Sequence, residues 1–210
     1  FRVSLKAAKC TFFATKTSYL GFTLSSQGIE CVAQKVQAIR DIPPPKTLTQ
    51  LRSFVQTVNF YRRFLHKLSI VAKPLTDATR NENLPFRAWP AGSDRDVAFQ
   101  KVKAMLSKAP LLRHPRADLP FIILIDACTA GLSAILCQDF PVTDLPDLPK
   151  VQEGRAATCR LPIHFASRKT RGAESHYAAT HLEACAVLWA LDYYRHYHHG
   201  RPTTVFTDHG

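Results

Sequence analysis

The chain has 210 residues, 46% hydrophobic and 21% charged, which excludes a disordered chain and provides apolar material for one large core or two small ones. No apolar run reaches the roughly 18–20 residues that a bilayer span requires, so no transmembrane helix is expected. The net charge is +12, and it is lopsided: residues 1–80 carry 13 basic and 3 acidic side chains, residues 81–210 carry 15 and 13, so the first stretch suits a polyanionic partner.

The opening residues read as strands. Cys10–Ala14 and Thr17–Leu24 are short, β-branched and aromatic, and Ser25-Ser26-Gln27-Gly28 is a turn signal. Val32, Val36 and Ile39 then follow helical spacing until Pro43-Pro44-Pro45. Thr47 and Gln50 have the spacing of a capping box and open a helix over 48–68, with Leu51, Phe54, Val55, Val58, Tyr61 and Leu65 on its apolar side. On another side Arg52, Gln56, Asn59 and Arg63 form one stripe about 16 Å long, flanked by Arg62 and Lys67. Such long polar side chains suit phosphate and sugar oxygens of a duplex. They equally suit an ordinary solvated helix face.

Residues 80–96 read as a polar linker, and a short helix over 94–108 follows it. From residue 119 the texture changes. Phe121–Ile125 is a continuous apolar run of the kind found in a central strand, and it ends in Asp126. Gly131–Gln138 and Leu161–Ala166 are two further strands around a long loop at 139–160. A helix over 175–198 and a strand over Thr203–Thr207, ending in Asp208, complete a β-β-β-α-β order.

An acid at the end of a buried strand is costly unless it is solvated, paired or metal-bound. Asp126 and Asp208 each end a strand, and Glu183 sits in the apolar-rich part of the long helix. Three carboxylates on three central elements could converge, and hard oxygen ligands in that number favour Mg²⁺ or Mn²⁺. Taken singly, a strand-end Asp is more often a turn former and a helix Glu more often solvated. Six cysteines, at 10, 31, 128, 137, 159 and 185, lack any C-x₂₋₄-C spacing, which argues against a zinc site and for reduced thiols in an intracellular protein. His196 and His199 share a face without an acidic or Cys partner, so they read as a helix end and not as a zinc site. Trp89 and Trp189 read as core residues.

In this order the motifs resemble the pol polyprotein of gypsy-type LTR retrotransposons, from the end of the reverse transcriptase into its ribonuclease H domain. Lys9-Cys10-Thr11-Phe12-Phe13 and Tyr19-Leu20-Gly21-Phe22 resemble the last palm strands. Leu51-Arg52-Ser53-Phe54 with Asn59-Phe60-Tyr61-Arg62-Arg63-Phe64 resembles the thumb signature. Ile125-Asp126-Ala127, Phe165-Ala166-Ser167-Arg168, Glu174-Ser175-His176-Tyr177, Leu182-Glu183-Ala184-Cys185 and Thr207-Asp208-His209 resemble the ribonuclease H series.

The resemblance implies an α/β fold in four parts. These are the end of the palm over 1–28, a helical thumb over 29–80, a connection over 81–118, and over 119–210 a C-terminally truncated RNase H-like mixed sheet with a central helix. It implies Asp126, Glu183 and Asp208 as catalytic ligands of two Mg²⁺ (or Mn²⁺) ions about 3.5–4 Å apart. Arg52, Gln56, Asn59, Arg62 and Arg63 become the contacts to an RNA–DNA hybrid or primer–template duplex, and Glu183 lies near the scissile 2′-OH. The remainder of the pol polyprotein is a partner, no membrane is involved, and the setting is intracellular, a cytoplasmic virus-like particle or the nucleus. A start at Phe1 and an end at Gly210 read as a fragment, with the polymerase aspartates before it and a fourth carboxylate after it. Cys128 stands where the family usually has Ser. The alternative is a non-catalytic, nucleic-acid-binding remnant of a degenerate copy.

Overall fold

The computed structural model describes residues 6, 7, 10–80, 89–145 and 158–207. Its first element is an antiparallel meander of three strands, β1 (Lys16–Tyr19), β2 (Phe22–Ser25) and β3 (Gly28–Cys31). Two sequence expectations change here. Residues 10–14 form no strand: Phe13 has a φ of 56°, and Phe12 and Phe13 are both exposed. The expected strand over 17–24 is two strands, because Leu20 and Gly21 both take positive φ and fold β2 back on β1, as two-residue hairpin turns do.

At the other edge of the meander, Ile29 and Leu112 exchange backbone hydrogen bonds of 2.8 and 2.9 Å. A Cβ on Gly28 would lie 2.1 Å from the Leu112 carbonyl oxygen, so this close pairing requires glycine. One residue later, Arg113 N–H donates to the Pro162 carbonyl at 2.9 Å. Residues 112–113 therefore stitch the small sheet to the edge of the large one.

The helical section begins with α1 (Ala33–Arg40) and α2 (Leu48–Phe60). Thr47 Oγ1 accepts from Gln50 N–H at 3.2 Å, while Gln50 Oε1 accepts from Lys46 N–H at 2.8 Å, a capping arrangement displaced by one residue. The helix expected over 48–68 stops at Phe60. The chain leaves it where Tyr61 and Phe64 turn in against Phe22 of β2, with ring centroids 5.8 and 5.5 Å away, and Arg62–Phe64 winds as a 3-10 turn. Next come α3 (Leu68–Val71), α4 (Lys73–Ala78) and α5 (Asp94–Ser107), the last capped by Ser93 with Asp94 and Asp96 in its first turn. Leu51, Phe54, Val58, Leu65, Leu75, Phe99, Val102 and Leu106 form the core of this section.

The larger sheet has four strands in the order β6-β5-β4-β7. Strands β4 (Phe121–Cys128), β5 (Gly131–Pro141) and β6 (Thr158–Lys169) pair antiparallel, and β7 (Thr203–Phe206) lies parallel to β4. Strands β5 and β6 remain paired out to Pro141 and Thr158, which shortens the expected loop; residues 146–157 lie outside the described residues. Helix α6 (Ala179–Tyr193) packs across β4, and α7 (Arg195–His198) follows it. The helix expected over 175–198 divides at Tyr194, which is fully buried with its hydroxyl 3.1 and 3.0 Å from the Ala134 and His164 carbonyls.

The fold is thus mixed α/β, with its central strand covered on both sides. Phe121, Ile123 and Ile125 enter the core beneath α6, while Ile135 and Phe165 point the other way and join the core of the helical section. Gln138, fully buried on β5, accepts from Arg116 N–H and donates to the Arg116 and Leu119 carbonyls, each at 2.8 Å. Gln138→Leu leaves these three backbone groups unpaired and should cost about 2 kcal/mol or more, roughly 5 °C in Tm. Thermal denaturation measures this, and an unchanged Tm would show that water replaces the amide.

Candidate functional site

Asp126 sits near the C-terminal end of β4, opposite Ser133 of β5. Alternation along the strand puts it on the face away from α6, toward the helical section, and its carboxylate pairs with the Lys67 ammonium. Glu183 rises from α6, is 6% exposed, and accepts a 2.8 Å hydrogen bond from the Thr207 hydroxyl. Thr207 directly follows Phe206, which pairs with Leu124. The register therefore brings Glu183 to the end of the β4–β7 pair at which Asp126 lies. Asp208 lies outside the described residues.

The donor chemistry fits a hard cation in part. Glu183 is a buried carboxylate whose partner is a neutral hydroxyl, and among the described residues no Lys, Arg or His pairs with it. Asp126 already holds a cation, in the form of an ammonium. Carboxylate oxygens are the ligands that Mg²⁺ and Mn²⁺ take. Among the described residues no group of three His, Cys, Asp or Glu side chains converges. Asp126 and Glu183 thus share one end of the sheet without forming a closed cluster of their own.

The histidines near the end of α6 form no such group either. His198 Nε2 is 2.9 Å from the Leu191 carbonyl, and the His196 ring lies 4.3 Å from that of Tyr197. His164 is half-buried beside Arg63, Arg62 and His196; burial first, and then the guanidinium charges of Arg63 and Arg62, push its imidazole down to about 4. It is neutral at physiological pH. Trp89 and Trp189 are partly buried against the two cores.

The polar stripe divides. Arg52, Gln56 and Asn59 lie on α2, with Gln56 and Asn59 exposed. Arg52 is half-buried and donates to the Thr79 carbonyl at 3.2 Å, tying α2 to the end of α4. Because α2 ends at Phe60, Arg63 falls in the 3-10 turn, off the helical stripe and half-buried. Arg62 is exposed, with its guanidinium 5.9 Å from the Tyr193 ring centroid.

Four residues carry roles that sequence spacing leaves open. Lys67 reads only as a flank of the stripe, although it reaches Asp126. Thr207 is part of a Thr-Asp-His motif, and its hydroxyl orients Glu183. Arg168 and Glu174 form a two-pronged pair, 2.6 and 2.9 Å, and Glu174 also accepts from Arg171 N–H at 2.8 Å. The Arg168 guanidinium lies 5.6 Å from the Trp189 ring centroid, so this brace ties β6 and the turn before α6 to α6 itself. No residue spacing announces the last two, because they meet only once the turn over Gly172–His176 brings Glu174 back to the end of β6.

Hydrogen bonds from Arg168 hold the Glu174 carboxyl at about 2, against its ordinary value near 4.5. A depressed folded-state value contributes stability that is present above pH 4.5 and lost as pH falls toward 2. Unfolding of wild type and Glu174→Gln should therefore differ most above pH 4.5, and the difference should shrink between pH 4.5 and 2. A constant difference would remove the pair from the acid sensitivity.

Comparison with known proteins bears on the fold and the relatives of the chain. Residues 116–210 match the family described as the RNase H-like domain found in reverse transcriptase. The chain is 31% identical over 209 residues to the retrovirus-related Pol polyprotein of transposon opus, and 30% identical over 213 residues to that of transposon gypsy, both from Drosophila melanogaster. Each alignment covers 96% of the chain but only 19% and 18% of those proteins, so the chain spans about a fifth of their length. Its fold resembles the foamy viral protease-reverse transcriptase solved with RNA/DNA hybrid, with a TM-score of 0.71 at 19% identity over 94% of this chain and 24% of that one. A second foamy viral structure, solved with double-stranded DNA, gives a TM-score of 0.70 over 91% of this chain and 36% of that one. Residues 116–210 are thus an RNase H-like domain of the kind found in reverse transcriptase, in a chain whose relatives are the Pol polyproteins of gypsy-type transposons.

Proposed function

We propose that the chain is the piece of a retroelement Pol protein that grips an RNA–DNA hybrid and carries the nuclease which cuts its RNA strand. One observation supports this above the others: a strand-end Asp126 and a buried Glu183 with no cationic partner among the described residues stand at the same end of β4 and β7. Asp208 is proposed as the third ligand. The residues paired between β4 and β7 all share one sequence offset, and the same offset separates Asp126 from Asp208.

In this reading Glu183, held by Thr207, faces the RNA strand near its 2′-OH, and Asp126 and Asp208 stand beside it. Two Mg²⁺ ions bound there would supply an activated water and stabilise the leaving 3′ oxygen. Arg62, Gln56 and Asn59 are the exposed donors for backbone oxygens of the duplex, with the helical section serving as thumb and the meander as the end of the palm. Copying RNA into DNA belongs in this proposal to the larger polyprotein, which works inside the cell.

Two measurements test the proposal. In a longer protein that continues past Gly210, Asp126→Asn should abolish Mg²⁺-dependent cleavage of the RNA strand while hybrid binding persists. A longer protein that folds and binds hybrid yet stays inert in Mg²⁺ and Mn²⁺ would leave only a binding remnant. On the basic side, Arg62→Ala should lower the salt slope of hybrid binding by about 1 with no change in sequence preference. An unchanged slope returns Arg62 to an ordinary surface role.

A further inference from the structure

Lys67 meets Asp126 from outside the sheet, in a backbone conformation that a lysine adopts at some cost. Its φ and ψ are 55° and 25°, the left-handed region that non-glycine residues seldom enter. The neighbouring chain holds it there. Leu68 is buried in the core of the helical section. Ser69 is tied to β6: its N–H donates to Ser167 Oγ at 2.9 Å, its hydroxyl donates to the Ser167 carbonyl at 2.8 Å, and the two hydroxyls are 3.1 Å apart. Further along, Lys169 of β6 pairs with Asp77 of α4 at 2.7 Å. These contacts fix α3 on the sheet and aim the side chain just before it at the end of β4.

We propose that Lys67 is a positioning residue of the nuclease site: its ammonium holds the Asp126 carboxylate in place of a divalent cation and must withdraw when one binds. The inference rests on the metal role given to Asp126 above. The Lys67 and Asp126 side chains are 40% and 32% exposed, so water reaches the pair and screens it. A pair this wet holds its partners by no more than about a fivefold factor, which a dication competing for the same oxygens can overcome. Linkage is reciprocal: an ammonium that opposes the cation is itself opposed by it. Cation binding at Asp126 therefore loosens one hold of the helical section on the sheet, where the hybrid-gripping side chains of that section are carried.

Mn²⁺ binding to the full chain, followed by electron paramagnetic resonance, is the direct test. Lys67→Met, which removes the charge and adds no ligand, should bind Mn²⁺ about fivefold more tightly. Lys67→Arg, which restores a cation, should stay near wild type, and adding Asp126→Asn should abolish the site in every background. In wild-type protein, acetylation of Lys67 read by mass spectrometry should rise along the same Mn²⁺ curve. If Mn²⁺ binds through Asp126 with equal affinity in wild type and Lys67→Met, or if Lys67 labelling ignores bound Mn²⁺, the proposal is overturned and the metal role of Asp126 stands. If no variant binds Mn²⁺, the metal role fails and the proposal falls with it.

Discussion

The β4–β5–β6 sheet is apolar on both faces, and covering those faces dictates the rest of the arrangement. One face takes α6, with Phe121, Ile123, Ile125, Leu132 and Ala134 beneath it. The other takes the helical section, into whose core Phe165 and Ile135 project. A sheet buried on both sides can carry acids only where its strands run out. Asp126 stands at such a point, and Thr207 holds Glu183 of α6 at the same end of the sheet.

The same constraint explains why the helical section is more than a neighbour. Residues 112–113 pair with β3 on one side and with Pro162 of β6 on the other, and the Ser69–Ser167 contacts clamp α3 to the same strand. The basic part of the chain is thereby fixed in place relative to the acidic end of the sheet. In the proposed function, a face that binds backbone oxygens and a site that cuts beside one of them must keep a set separation, which packing of this kind would provide.

Much of this was legible in the sequence where a single element carried the signal. The run Phe121–Ile125 ending in Asp126, the Thr47 cap, the helix at 94–108 and the strand ending near Thr207 all declare themselves through periodicity or capping chemistry. The rest depends on contacts between elements. The apolar spacing of Tyr61 and Leu65 continues a helix on paper, but the packing of Phe22 against Phe60, Tyr61 and Phe64 ends it at Phe60 and carries Arg63 off the stripe. Leu20-Gly21 is a turn only because both residues adopt positive φ. The Lys67–Asp126 and Arg168–Glu174 pairs join residues whose proximity no local pattern encodes.

That Asp126 and Glu183 serve one cation site is the central claim, and paramagnetic broadening by Mn²⁺ in the amide NMR spectrum of the full chain tests it most directly. Bound Mn²⁺ should erase the signals of residues 125–127, 182–184 and 207 together, and leave those of His196–His199 sharp. Broadening centred on the α7 histidines, or confined to one of the two acids, would contradict a shared site at the end of β4.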